Sequence, residues 1–193
     1  MNSPLIFEPQ YLAPVSFYKN LVHHEVKFTT TASYSKKTLK NRTYILGANG
    51  ILRLSIPLQH QQNERRKYAD VKISYAEKWQ KDHWNSIVSA YRRSPYFEFY
   101  EDELKYFYDN QTENLSELNL SLHEWILKKI QIDLPVIFDN ETVKISHEVK
   151  YTYPPYLQVF SDRFEFQPNL SIIDILFNLG GKGTKAYLTE QSL

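Results

Sequence analysis

The sequence predicts an α/β domain, a single mixed sheet with helices packed on it. Three observations lead there: an opening strand-helix-strand pattern, an Asn-Gly corner between two apolar runs, and at least three helices whose apolar faces need a shared surface. At 193 residues the chain is the usual size for one domain, and no repeat or linker divides it. Hydrophobic residues make up 42% and charged residues 23%, a balance that offsets the entropy of ordering the chain.

The elements follow in order. Leu5-Ile6-Phe7 is a short apolar run ending at Glu8-Pro9, and Pro14, with its fixed φ, stands where a helix can begin. Phe17, Tyr18, Leu21 and Val22 continue at helical spacing, and Val26 and Phe28 then alternate with polar neighbours. These thirty residues read as an N-terminal βαβ unit, which puts the loop from Glu8 to Ala13 at the carboxyl end of the first strand, where open α/β sheets bind ligands. Tyr44 to Ala48 and Ile51 to Ile56 flank Asn49-Gly50, a pair suited to two positive φ angles, so a β-hairpin is expected at that turn. Pro57 closes the second strand, and the polar run Gln59 to Lys67 reads as a solvated loop, a plausible lid.

Ser74-Tyr75-Ala76-Glu77 fits a capping box, followed by Trp84, Ile87, Val88 and Tyr91 at helical spacing up to Ser94-Pro95. Phe97 to Tyr108 reads as another helix. Leu115, Leu118, Leu122, Trp125, Ile126 and Ile130 make the apolar stripe of a third, with Lys128 and Lys129 placed against its negative end. Short strands are expected near Val136-Phe138 and Leu157-Phe160, and Ser171-Ile172-Ile173-Asp174, a second capping box, opens a helix to Asn178. Gly180-Gly181-Lys182-Gly183 resembles a phosphate loop only superficially, since it follows a helix and lacks the spacing; a helix-terminating glycine is the better reading.

Several chemistries drop out. Without cysteine there is no disulfide, thiolate nucleophile or Cys-based zinc site. The six His are scattered; the one cluster, His23-His24-Glu25, has neighbours pointing apart, and neither His-Glu-x-x-His nor Gly-x-Ser-x-Gly occurs. No metal site is therefore expected, and no motif names a cofactor. Lys plus Arg number 23 against 22 Asp plus Glu, so no net field draws the chain to nucleic acid. No apolar run reaches membrane-spanning length and no leader is visible, which suggests a cytoplasmic protein and makes the six Asn-x-Ser/Thr matches chance.

What remains is a small set of polar residues. His83 lies four residues from both Trp79 and Ile87, on an apolar shoulder where a buried imidazole can act as a general base; a core-edge histidine with one satisfied nitrogen is the competing reading. Lys36, Lys37, Lys40 and Arg42 crowd one stretch with Asn41 and can hold a phosphate or carboxylate, and Arg65, Arg66 and Lys67 form a second basic group. For either group the simpler reading is solvated charge.

The chain resembles the WbqC-like protein family across nearly its whole length. The resemblance rests on Pro9-Gln10-Tyr11-Leu12, Asn41-Arg42-Thr43-Tyr44-Ile45, Gly50 to Pro57, Lys78-Trp79-Gln80-Lys81-Asp82-His83, Ala90-Tyr91, Pro95-Tyr96-Phe97 and Asn169 to Asn178 with Gly180. It departs from a common form of the first motif in carrying Glu8 for Gln and Ala13 for Pro. The resemblance implies a single domain over 1–193 in a bacterial cytoplasmic protein, in some members associated with O-antigen or other surface-polysaccharide gene clusters. Two readings follow from it. An enzyme, transferring an acyl or aminoacyl group to an amino sugar or nucleotide sugar, requires Glu8 and His83 as catalytic residues to meet Gln10, Tyr11, Asn41 and Arg42 as substrate-binding residues in one cleft, around a small anionic or sugar ligand. A noncatalytic binding or scaffold protein of a polysaccharide assembly requires an exposed aromatic patch instead. The oligomeric state stays open.

Overall fold

The computed structural model describes residues 4–35, 38–60, 66–134, 136–138 and 151–190. Lys36, Lys37, Arg65 and most of the expected polar lid lie outside the described residues. The mixed α/β class holds, with five α-helices and two small sheets among the described residues. The opening unit is as expected: β1 (Leu5–Phe7) and β2 (Val26–Phe28) pair in parallel, Leu5 on Val26 and Phe7 on Phe28, joined by α1 (Val15–His23). Pro14 sits at the N-cap with extended ψ 165°, and Phe17, Tyr18 and Leu21 turn inward.

Among the described residues the strands form two sheets in place of the expected single mixed one. β3 (Arg42–Gly47) and β4 (Gly50–Ser55) make a separate antiparallel hairpin. Phe28 of β2 also bridges to Phe138, and Ser171, bridged to Pro14 ahead of α1, donates its N–H to the Tyr44 carbonyl of the hairpin at 2.9 Å. Strands of three residues bury too little to extend a sheet, and the helices cover the remaining apolar surface. The hairpin corner also lies one residue earlier than expected. Gly47 pairs with Gly50, so Ala48 and Asn49 form the turn, and only Gly50 takes a positive φ, 106°.

The helices follow the apolar periods, and the helix that opens at Ile172 starts where its capping box put it, with Ser171 at the N-cap, whereas the helix after Ser74–Glu77 starts beyond its box. α2 runs Trp79–Tyr91 with Lys78 at its N-cap, and Ser74 Oγ instead accepts from the Ala76 N–H within the preceding bend. The aromatic stretch breaks into a 3₁₀ turn at Phe97–Phe99 and α3 (Glu101–Asp109). In α4 (Leu115–Ile130) all six residues of the expected stripe are buried, each burial stabilising by about 1.5–3 kcal/mol as an upper bound. α5 (Ile172–Thr189) runs past Asn178 and is broken at Gly180, whose φ of 69° ends one helical run before another starts. Its capping pair is diverted to tertiary work. Ser171 Oγ donates to the Leu12 carbonyl, and the buried Asp174 carboxylate accepts from Tyr91, Tyr156 and Gln158. Those bonds hold the segment around Leu157–Phe160 against α5 as a turn, not as the expected strand. Among the described residues no helix is long and apolar enough to cross a membrane.

Candidate functional site

The loop from Glu8 to Ala13 is the point where the elements converge. It leaves β1 and turns at Leu12, which takes φ 42°, and its backbone is held by five different segments. The Pro9 carbonyl accepts from Tyr68 at 2.8 Å and lies 3.5 Å from Asn119 Nδ2 on α4. The Leu12 carbonyl accepts from Thr43 on β3 and from Ser171, both at 2.8 Å. The Tyr11 N–H reaches the Leu39 carbonyl in a 3₁₀ turn at Leu39–Asn41. A loop whose carbonyls are so fully engaged holds its side chains in fixed directions.

Glu8, at its start, is buried and ion-paired with Lys40 at 2.6 Å; the two are 6% and 2% exposed. Burial raises the Glu8 carboxyl and lowers the Lys40 ammonium, while each partner's charge acts against that shift on the other. The Lys40 ammonium lies 5.2 and 5.1 Å from the ring centroids of Tyr34 and Tyr68. Asn119 Nδ2 donates to the Lys40 carbonyl at 2.6 Å and sits equally close to the Tyr68 hydroxyl.

Tyr11 points into α2. Its hydroxyl lies 3.0 Å from His83 Nδ1 and 2.7 Å from the Tyr108 hydroxyl. Burial lowers the His83 pKa to about 4, opposed by a backbone hydrogen bond at Ser55 and by Asp82. The imidazole is therefore neutral at neutral pH, and the Ser55 and Tyr11 contacts together engage it on both sides.

Asn41 is turned toward the hairpin, its Nδ2 donating to the Ile56 carbonyl at 2.9 Å. Arg42 is half-buried and lines a pocket of about 230 Å³ with Pro14, Leu39, Tyr44, Asn169 and Ser171. Three amide oxygens near the loop, Gln10 Oε1, Asn41 Oδ1 and Asn119 Oδ1, are buried with no hydrogen-bond partner among the described residues. The two expected basic groups also approach one another: Arg66 lies 5.3 Å from the Tyr34 ring, and the charges of both Arg66 and Arg42 act on the Tyr34 phenol, which burial raises.

The structure thus links Glu8, Gln10, Tyr11, Asn41 and Arg42 through the loop and the adjoining 3₁₀ turn, and joins His83 to the group through Tyr11 and through the backbone of Ser55, the cross-strand partner of Arg42. Lys40, singled out with its basic neighbours as able to hold a carboxylate, holds that of Glu8, whereas Tyr34, Tyr68, Tyr108 and Asn119 are partners that sequence reasoning missed. One signal for Asn119 exists, since it interrupts the Leu115, Leu118, Leu122 stripe with a polar residue at helical spacing from Leu115. Among the described residues no three His, Asp or Glu side chains gather as metal ligands would.

A model of the WbqC-like protein family matches residues 9–149. No curated protein matches the chain. No solved structure matches it either.

Proposed function

The chain belongs to the WbqC-like protein family, and from that premise we propose an enzyme of bacterial surface-polysaccharide biosynthesis that transfers an acyl or aminoacyl group to an amino sugar or nucleotide sugar at the opening loop. The observation that carries the sugar reading is the set of buried, unpartnered acceptors on Gln10, Asn41 and Asn119. An unmet buried acceptor costs about 1–3 kcal/mol, and the hydroxyl and amine donors of a sugar are what would offset it. Arg42, at the pocket edge, suits the anionic part of such a ligand.

In this reading Glu8 is the proton acceptor. As the acceptor nitrogen or oxygen bonds to the acyl carbon, its proton passes to Glu8, and the donor's leaving group departs with the electron pair of the cleaved bond. Burial raises the Glu8 carboxyl, which suits it to take up a proton, and Lys40 opposes that rise and favours the ionised form. His83 is a positioning residue, because its Nδ1 is occupied by Tyr11 and its ring is tied to the Ser55 backbone.

Thermal-shift measurements with nucleotide amino sugars and simple sugar phosphates test the binding step. A ligand of this class should raise the melting temperature of the native chain, and Arg42→Ala should abolish the shift. If no anionic sugar stabilises the protein at millimolar concentration, the reading fails. The noncatalytic alternative keeps one observation in its favour: Phe99 is 74% exposed, its ring 6.0 Å from that of Tyr96, and Tyr106 is exposed too. Gel filtration with candidate glycosyltransferases distinguishes it, since a scaffold co-elutes with a partner and Phe99→Ser breaks the complex.

A further inference from the structure

We infer that a second cleft, at the C-terminal half of α2, binds the diphosphate of a nucleoside diphosphate. The cleft, about 420 Å³, lies between α2, Ala48 of the hairpin turn and the turn at 159–163. Arg92, Arg93 and Arg163 line it together with Asn85, Ser89 and Phe160. It shares no residue with the pocket beside Arg42. Tyr44 lines the first pocket and Ala48, in the turn after that strand, lines the second, so four residues of extended chain, roughly 13 Å, separate them.

Three guanidiniums in one cleft repel each other, and the fold does little to relieve them. Among the described residues, the Arg92 and Arg93 guanidiniums have no ion pair or hydrogen bond, and Arg163 has only its neighbour Asp162, Nε to Oδ2 at 3.7 Å, and a 3.5 Å contact with the Ala48 carbonyl. The negative end of α2 accounts for cations at Arg92 and Arg93. It does not account for Arg163, which arrives from a segment some seventy residues on along the chain. A ligand with two adjacent phosphates satisfies all three, since each guanidinium offers a fork of donors to phosphate oxygens. The rest of the lining suits a nucleoside. Phe160 is a half-exposed ring on which a base can stack, and Asn85 and Ser89 are exposed polar groups one helical turn apart on the same face of α2.

The proposal is independent of the reaction suggested for the opening loop, and calorimetry on the full chain separates them. The probes are uridine diphosphate, adenosine diphosphate and inorganic pyrophosphate. A nucleoside diphosphate should bind, and Arg92→Ala/Arg163→Ala, both exposed, should raise its Kd by roughly tenfold or more while the circular dichroism melt stays that of the native chain. The nucleoside diphosphate should also bind more tightly than pyrophosphate, with the difference lost in Phe160→Ala. Absence of binding by every probe overturns the proposal, as does an unchanged Kd in the double arginine variant. Pyrophosphate binding as tightly as the nucleoside diphosphates overturns the nucleoside assignment. Binding lost in Arg42→Ala but retained in the double variant overturns the cleft and places the diphosphate at the opening loop.

Discussion

Tyr11 and His83 are 72 positions apart in the chain and share a 3.0 Å hydrogen bond inside the core. That contact ties the opening loop to α2, and the Tyr108 hydroxyl, 2.7 Å from Tyr11, ties both to α3. Three elements of distant sequence thus depend on one phenolic oxygen.

Removing that oxygen should be costly for a conservative change. Tyr11→Phe keeps the ring but leaves His83 Nδ1 and the Tyr108 hydroxyl buried without their partner, at a cost of about 1–3 kcal/mol. Urea unfolding measures it, and a variant as stable as the native chain would show that water replaces the hydroxyl.

The Glu8 and Lys40 pair should behave as a unit. Lys40→Met leaves a buried carboxylate without its cation and should destabilise by about 3–5 kcal/mol. Adding Glu8→Gln should recover part of the loss, because no charge then remains buried. A double-mutant cycle decides the matter; additive losses would mean that the pair is not coupled.

Acid should act through two histidines. Burial lowers both His83 and His123 to about 4, against 6.5 for an ordinary imidazole. Between those values the unfolded chain binds more protons, so stability falls as pH falls, by about 3 kcal/mol per histidine at pH near 4. Glu8 and Asp174, raised by burial, oppose this, favouring the folded chain as they protonate. The diagnostic is therefore a difference between proteins. His123 packs 5.0 Å from Phe28 and its Nε2 is buried without a partner among the described residues, so His123→Phe should flatten the acid limb of a melting-temperature profile. Profiles that stay parallel from neutral pH to 4 would assign the acid response elsewhere.

Two glycines should differ sharply. At Gly181 an added Cβ would overlap the Lys129 carbonyl oxygen, and neither backbone can yield without parting α4 from α5. Gly181→Ala should cost about 3 kcal/mol or more. At Gly50 nothing lies within 4 Å, so Gly50→Ala meets only the strain of its φ of 106°, about 1 kcal/mol. Thermal melts of the two variants rank them, and equal losses would contradict the close approach at Gly181.

Local physics made part of this molecule legible. Helical spacing placed α1 and α4, the two short apolar runs gave the parallel pair, and the Asn-Gly corner marked the hairpin to within one residue. The box at Ser74 missed the start of α2, while the box at Ser171 marked the start of α5 without forming its bonds, because a serine or aspartate that can cap a helix can equally bond across the fold, as Ser171 and Asp174 do.

By itself the sequence determined the opening strand-helix-strand unit, the hairpin and the helices with a clear apolar stripe, and that the opening loop follows a strand end, because steric preference and apolar period act within a few residues. Tertiary structure alone decided that Glu8 meets Lys40, that Tyr11 reaches His83, that the strands split into two sheets, and that Arg163 joins Arg92 and Arg93. Those pairings arise when elements pack to bury their apolar faces, and the packing fixes polar partners whose separation in the chain leaves no local trace.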